Sequence, residues 1–114
     1  MTGDDFSRIA LSMPEAEAGS HMGQADFRVG GKIFATVTPD REFGMVKLSP
    51  EQQEMICEAE PEIFQPVPGG WGKGGSTRVF YRHADEATLT SAMTMAWRLR
   101  AGPKILKRLG LTDA

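Results

Sequence analysis

Gly30-Gly31 stands between two runs of β-branched and aromatic residues, and no other feature of the chain constrains its fold as strongly. Glycine accepts the positive φ angles that a two-residue hairpin turn requires. The flanking runs, Ala25–Val29 and Lys32–Thr38, are therefore expected to pair as antiparallel strands. Pro39-Asp40-Arg41-Glu42 makes a longer turn into a third strand, Phe43–Leu48, so this region reads as a meander. With Thr38 opposite Phe43, side-chain alternation puts Ile33, Ala35, Val37, Val46 and Leu48 on one face, a core face. The other face takes Phe34, Thr36, Phe43, Met45 and Lys47, and the hairpin adds Phe27, Val29 and Lys32. That second face is unusually aromatic for a solvated one.

Helix signals flank the meander. Thr2 followed by Asp4 and Asp5 predicts a capped first helix from about Gly3 to Ser12, with Phe6, Ile9, Ala10 and Met13 at helical spacing. Pro14 to Gln24 is polar and reads as a loop. Ser49-Pro50-Glu51-Gln52 has a serine cap, a proline at the first helical position and a glutamine that completes a capping box, so a short helix is expected to start there and end before Pro61. Phe64–Val67 suits an edge strand, because Pro66 cannot donate to a central ladder. Pro68 to Gly75 holds five glycines in eight residues and reads as a loop. Thr77–Arg82 is expected as a final strand. Asp85 caps a long helix to about Ala101, its stripe being Leu89, Ala92, Met93, Ala96 and Trp97. After Gly102-Pro103, Lys104–Leu109 makes one or two further helical turns. The order predicts an α+β two-layer sandwich, an antiparallel sheet with helices packed on one face.

At 114 residues, with 40% hydrophobic and 25% charged side chains, the chain is expected to form one domain over residues 1–114. The single cysteine, Cys57, forms no internal disulfide, and the Met1 end lacks the pattern of a signal peptide. A cytoplasmic, soluble protein with no membrane partner is expected. The net charge of −2 conceals an asymmetry: residues 1–62 hold 5 Lys+Arg against 12 Asp+Glu, and residues 63–114 hold 8 against 3. Either the later half forms a basic surface, or the two halves neutralise one another on folding.

Catalytic chemistry is hard to find. His21 and His83 are the only histidines, and neither sits in a metal-ligand spacing. Cys57 lies in the second expected helix with no basic neighbour to activate it. Glu15, Glu17, His21 and Asp26 offer an acid and a base if they gather, although acidic residues in a polar loop are usually only solvated. Gly69 to Ser76 invites comparison with a phosphate loop, but Lys73 is followed by glycines and a strand instead of Ser or Thr and a helix. The residues name no reaction: no enzymatic activity, cofactor or metal is expected.

Binding is better supported. Phe27, Phe34, Phe43 and Phe80, interleaved with Lys32, Lys47, Arg78 and Arg82, resemble the stacking-plus-charge chemistry used on nucleic acids. The same face suits a protein or homodimer interface, or a second core beneath the tail after Pro103. Trp71, on its glycine-rich loop, is either pinned to the core or exposed as an anchor. The expected nucleic-acid-binding residues are Lys32, Lys47, Trp71, Lys73, Arg78 and Arg82, contacting DNA or another anionic partner with little sequence preference. The alternative is a protein-interaction or dimerisation module using the aromatic outer face. Small-ligand binding near Trp71 is a third reading.

Phe27-Arg28-Val29-Gly30-Gly31-Lys32-Ile33-Phe34-Ala35, Val46-Lys47-Leu48, Trp71-Gly72-Lys73-Gly74, Ala96-Trp97-Arg98 and Pro103-Lys104 together resemble the MmcQ/YjbR-like family of small bacterial proteins. The resemblance implies a CyaY-like antiparallel sheet with packed helices. For function it implies only DNA binding through a double wing, which would place the wings at the Gly30-Gly31 or Pro39–Glu42 turn and at the loop around Trp71. Two features depart from the family pattern: the short Gly-Trp-Gly-Lys-Gly-Gly stretch, and Gly102 between Ala101 and Pro103.

Overall fold

The computed structural model describes residues 1–38 and 42–111, so the expected turn over 39–42 lies outside the described residues apart from Glu42. Helix α1 (Gly3–Leu11) begins at the predicted cap. The Thr2 hydroxyl accepts from the Asp5 amide at 3.1 Å, and the Asp5 carboxylate accepts from the Thr2 amide at 2.8 Å. Its inner side buries Phe6, Ile9 and Ala10.

The segment read as a polar loop contains a strand, β1 (Glu17–His21), paired antiparallel with β2 (Gln24–Val29). Met22 and Gly23, at φ 50° and 79°, form the two-residue connection that the twist of a hairpin favours. The strand escaped detection because it lies at the sheet edge and buries almost nothing. Alternating hydrophobicity reveals a strand only where one face is covered.

Strand β3 (Lys32–Val37) follows the Gly30-Gly31 turn as expected, and β4 (Gly44–Lys47) pairs with it from Val37↔Gly44. The faces differ from the expected ones. Val29 pairs with Lys32 and Arg28 with Ile33, but Phe27 then pairs with Ala35, so Phe34 is an extra residue without an opposite partner. This bulge turns Phe27, Val29 and Phe34 into the core and puts Ile33, half-buried, on the opposite face with Arg28. A one-residue slip exchanges faces for everything beyond it. The aromatic outer face is therefore not formed. Ala35, Val37, Val46 and Leu48 are buried as predicted.

Helix α2 (Pro50–Ala59) has the expected capping box, the Ser49 hydroxyl accepting from the Gln52 amide and the Gln52 side chain accepting from the Ser49 amide. Strand β5 (Phe64–Pro66) is the second sheet edge. The glycine-rich segment contains a helical turn, α3 (Gly70–Lys73), and leads into β6 (Ser76–Val79). That last strand is shorter than expected, since Tyr81–His83 forms a 3₁₀ turn that carries Arg82 off the sheet. Helix α4 (Glu86–Arg108) is capped by Asp85 and broken at Gly102, whose φ of 76° only glycine adopts freely. Leu89, Ala92, Met93, Ala96 and Trp97 form its buried stripe, and the Trp97 indole donates to the Pro14 carbonyl at 2.9 Å.

All strand pairs are antiparallel, in the order β1-β2-β3-β4-β6-β5. Helices α1 and α4 cover one face, where Phe6 packs against Phe27 and Tyr81 with centroids 6.4 and 6.0 Å apart. The last turns of α4 bring Ile105 beside Gly30 at the hairpin tip, and the Arg108 guanidinium donates to both Glu15 carboxylate oxygens at 2.6 and 2.8 Å. Among the described residues, no helix is long and apolar enough to cross a membrane.

Candidate anion-binding site

The sheet face opposite α1 and α4 carries Asp26, Thr36, Met45 and Arg78 in one row across β2, β3, β4 and β6. Beside this row lies a concavity of about 620 Å³ lined by His21, Arg28, Lys32, Ile33, Thr36, Met45, Lys47, Trp71, Ser76 and Arg100, among others. Its lining includes four cationic side chains, Arg28, Lys32, Lys47 and Arg100, and no carboxylate.

Lys47 and Arg100 lie near enough for the charge of one to act on the other. The Lys47 ammonium donates to the Gly74 carbonyl at 3.3 Å and the Ser76 hydroxyl at 3.4 Å. Burial, and then the positive charge of Arg100, hold its pKa below the ordinary lysine value. Arg100 comes from the helical layer, and its Nε donates to the Ile33 carbonyl at 3.1 Å beside the bulge. Two like charges are thus kept together without a carboxylate partner among the described residues. Each would be stabilised by an anion placed between them.

Arg28 is differently committed. Its Nε and terminal nitrogen donate to the Asp26 carboxylate at 2.9 and 3.1 Å, and His21 Nδ1 lies 2.8 Å from the same carboxylate. Asp26 is fully buried, and the Arg28 hydrogen bond, opposed by burial and assisted by His21, holds its pKa below the usual carboxylate range. Gly19 makes room for it, since a Cβ there would lie 2.7 Å from Asp26 Oδ1. Of the four polar residues considered for acid–base work, His21 and Asp26 come together, whereas Glu15 is paired with Arg108.

Trp71 projects from α3 and is 74% exposed. The backbone beneath it is nevertheless tightly held: a Cβ on Gly72 would lie 1.8 Å from the Val67 carbonyl oxygen, and one on Gly75 1.9 Å from that of Leu48. The side-chain amide of buried Gln53 donates to the carbonyls of Gly72 and Ser76 at 2.9 and 3.0 Å. The backbone of the loop is held, but Trp71 itself is not packed on the core: of the two fates expected of it, the exposed one is found.

Of the six residues singled out from the sequence, Lys32, Lys47 and Trp71 line the concavity. Arg78 shares the open face, but its guanidinium stacks over the Phe43 ring at 4.6 Å, and Phe43 packs on Phe80 at 5.7 Å. Lys73 and Arg82 are exposed and do not line the concavity. Arg28 and Arg100 were missed. Arg28 could have been found from its i, i+2 spacing with Asp26, but nothing local announces that Arg100 reaches Ile33. Of the eight Lys and Arg of residues 63–114, only Arg108 pairs with a carboxylate among the described residues. Cys57 is half-buried, and burial pushes its thiol pKa up, away from reactivity. No group of three or more His, Cys, Asp or Glu suited to a metal occurs among the described residues.

The YjbR family model matches residues 11–99. The fold is similar to that of the Deinococcus radiodurans protein DR2400, which carries a DUF419 domain, with a TM-score of 0.77 at 20% identity over 99% of this chain and 91% of that one. A Pseudomonas syringae protein of known structure is similar with a TM-score of 0.69 at 14% identity, over 88% of this chain and 99% of that one. No curated protein matches the chain. The motif order noted in the sequence and the match over most of the chain agree: the chain belongs to the YjbR family.

Proposed function

We propose that this protein is a non-enzymatic nucleic-acid-binding domain that uses its open sheet face, with Lys47, Arg100 and Lys32 taking phosphates and Trp71 stacking on a base. The observation that carries this reading is the pairing of Lys47 with Arg100, away from any described carboxylate, in a concavity bordered by an exposed tryptophan. A sheet face with cations and a stacking platform suits unpaired bases, whose rings are free, better than a closed duplex. The pinned helical turn at Gly70–Lys73 favours the sheet face over a mobile wing as the contact surface. Phosphate contacts carry no base information, so sequence preference is weak.

Titration of a labelled single-stranded DNA, with the duplex as comparison, tests the proposal. Affinity should fall by roughly tenfold or more between low and physiological salt if several phosphates are held. Lys47→Gln with Arg100→Gln should abolish most of it, and Trp71→Ala should weaken it by about 1–3 kcal/mol. Binding that is absent, or indifferent to salt and to these substitutions, overturns the assignment.

A further inference from the structure

The helical layer carries a second concave surface, of opposite character. A groove of about 450 Å³ between α2 and α4 is lined by Met55, Ile56, Ala59, Phe64, Ala92 and Met95, among others. Through Ser91 and Met95 it continues into a hollow of about 500 Å³ that ends at Arg98 and Leu99. Met55 is 57% exposed and Leu99 43%. Apolar side chains left open along two helices gain most by accepting a third helix.

The charge on the α2 side of the groove is one-sided, with Glu60 in its lining, whereas the one cation, Arg98, lies at the far end of the adjoining hollow. No Lys or Arg occurs between Lys47 and Lys73, or between Arg82 and Arg98, while the first interval holds Glu51, Glu54, Glu58, Glu60 and Glu62. None of these five has an ion-pair partner among the described residues. Helix α2 has no basic residue in its last turn, so Glu58 and the capping Glu60 lie at the end where the helix dipole already favours cations. That arrangement costs the isolated chain stability, and a cationic partner relieves it.

We propose that this groove receives an amphipathic helix from another protein, apolar on the side that meets Met55 and Met95 and rich in Lys or Arg on the side that meets the α2 glutamates. Methionine side chains adapt to varied apolar surfaces, as helix-binding grooves require. A second copy of this chain is a poor occupant. Its basic amphipathic segment, the end of α4, already turns Ile105, Leu106 and Leu109 onto its own core.

The test uses the intact protein, labelled at its methionine methyls, and two synthetic helical peptides of about 14 residues. One carries leucine on one side and lysine on the other; its control has serine in place of every leucine. The Leu/Lys peptide should shift the Met55 and Met95 methyl signals, and the Ser/Lys peptide should not. Met55→Ser, and separately Glu58→Gln with Glu60→Gln, should each weaken binding by roughly fivefold to tenfold, whereas Lys47→Gln should leave it unchanged. Equal binding of the two peptides, methyl shifts elsewhere only, or a solution dimer that Met55→Ser dissociates would overturn the proposal.

Discussion

Gln53, one of the few buried polar side chains, spans from α2 to Gly72, its amide nitrogen donating to the Gly72 carbonyl at 2.9 Å and to the Ser76 carbonyl at 3.0 Å. These two bonds tie the second helix to the turn that displays Trp71. Gln53→Leu leaves both carbonyls without that donor in a buried setting, which costs about 1–3 kcal/mol. Chemical denaturation should show that loss, and acrylamide quenching of Trp71 should change because its support has loosened. A variant as stable as the parent would mean that water replaces the amide at no cost.

Glycines of one segment should differ sharply in their tolerance of substitution. Gly75→Ala would drive a methyl to 1.9 Å from the Leu48 carbonyl oxygen at φ 107°, and Gly72→Ala would bring one to 1.8 Å from that of Val67. Both require the backbone to move, and each is expected to lower stability by several kcal/mol, on the order of the largest single-residue effects. Gly70 has open space around its Cβ position and an ordinary φ. Gly70→Ala should therefore be neutral or slightly stabilising, through the reduced freedom of the unfolded chain. Thermal melts of the three variants decide this.

Asp26 should give the protein a distinct acid sensitivity. Its carboxyl titrates lower in the folded chain than when unfolded, chiefly because of Arg28, so the unfolded state binds the proton more readily. Its contribution is complete above the pH at which a free carboxylate ionises, about 4, and is lost as pH falls through the lower native value. Asp26→Asn should remove about 1.5–3 kcal/mol at neutral pH and flatten this part of the acid limb. Urea denaturation of both proteins across that range provides the comparison.

The bulge at Phe34 predicts unequal costs for two phenylalanines that simple alternation places together. Phe34 is fully buried, and Phe34→Ala should cost about 3–5 kcal/mol. Phe43 is half-buried beneath Arg78, so Phe43→Ala should cost clearly less and lose a cation–π contact of about 0.5–1 kcal/mol. Similar losses at the two positions would contradict the observed register.

Much of the architecture was legible because its signals are local. The Thr2 and Ser49 caps, the Gly30-Gly31 turn, the Asp85 cap and the apolar stripe of α4 each depend on residues within a few positions of one another. The break at Gly102 followed from a Gly-Pro pair for the same reason. Half of the singled-out site residues came together: alternation along β4 and the loop before β6 bring in Lys47 and Trp71, and Lys32 joins them from the start of β3 beside the hairpin turn.

Tertiary packing decided the rest. Whether Phe27 opposes Phe34 or Ala35 is invisible locally, since both pairings suit a two-residue turn, yet the choice exchanges the two faces of the hairpin. Burial of Phe27 on the same face as Ala35 and Val37 is compatible only with the bulged pairing, and this leaves Arg28, Ile33, Thr36, Met45 and Lys47 on the open side. The edge strand Glu17–His21 exists through its hydrogen bonds to β2, which no pattern of its own side chains reports. The closeness of Lys47 and Arg100 depends on how a helix end meets a strand end, a distance set by the whole core. Sequence alone thus determined the layers and their order, through short-range propensity and capping; the cationic concavity was decided by long-range packing, because register and helix placement are chosen by how the buried side chains fit together.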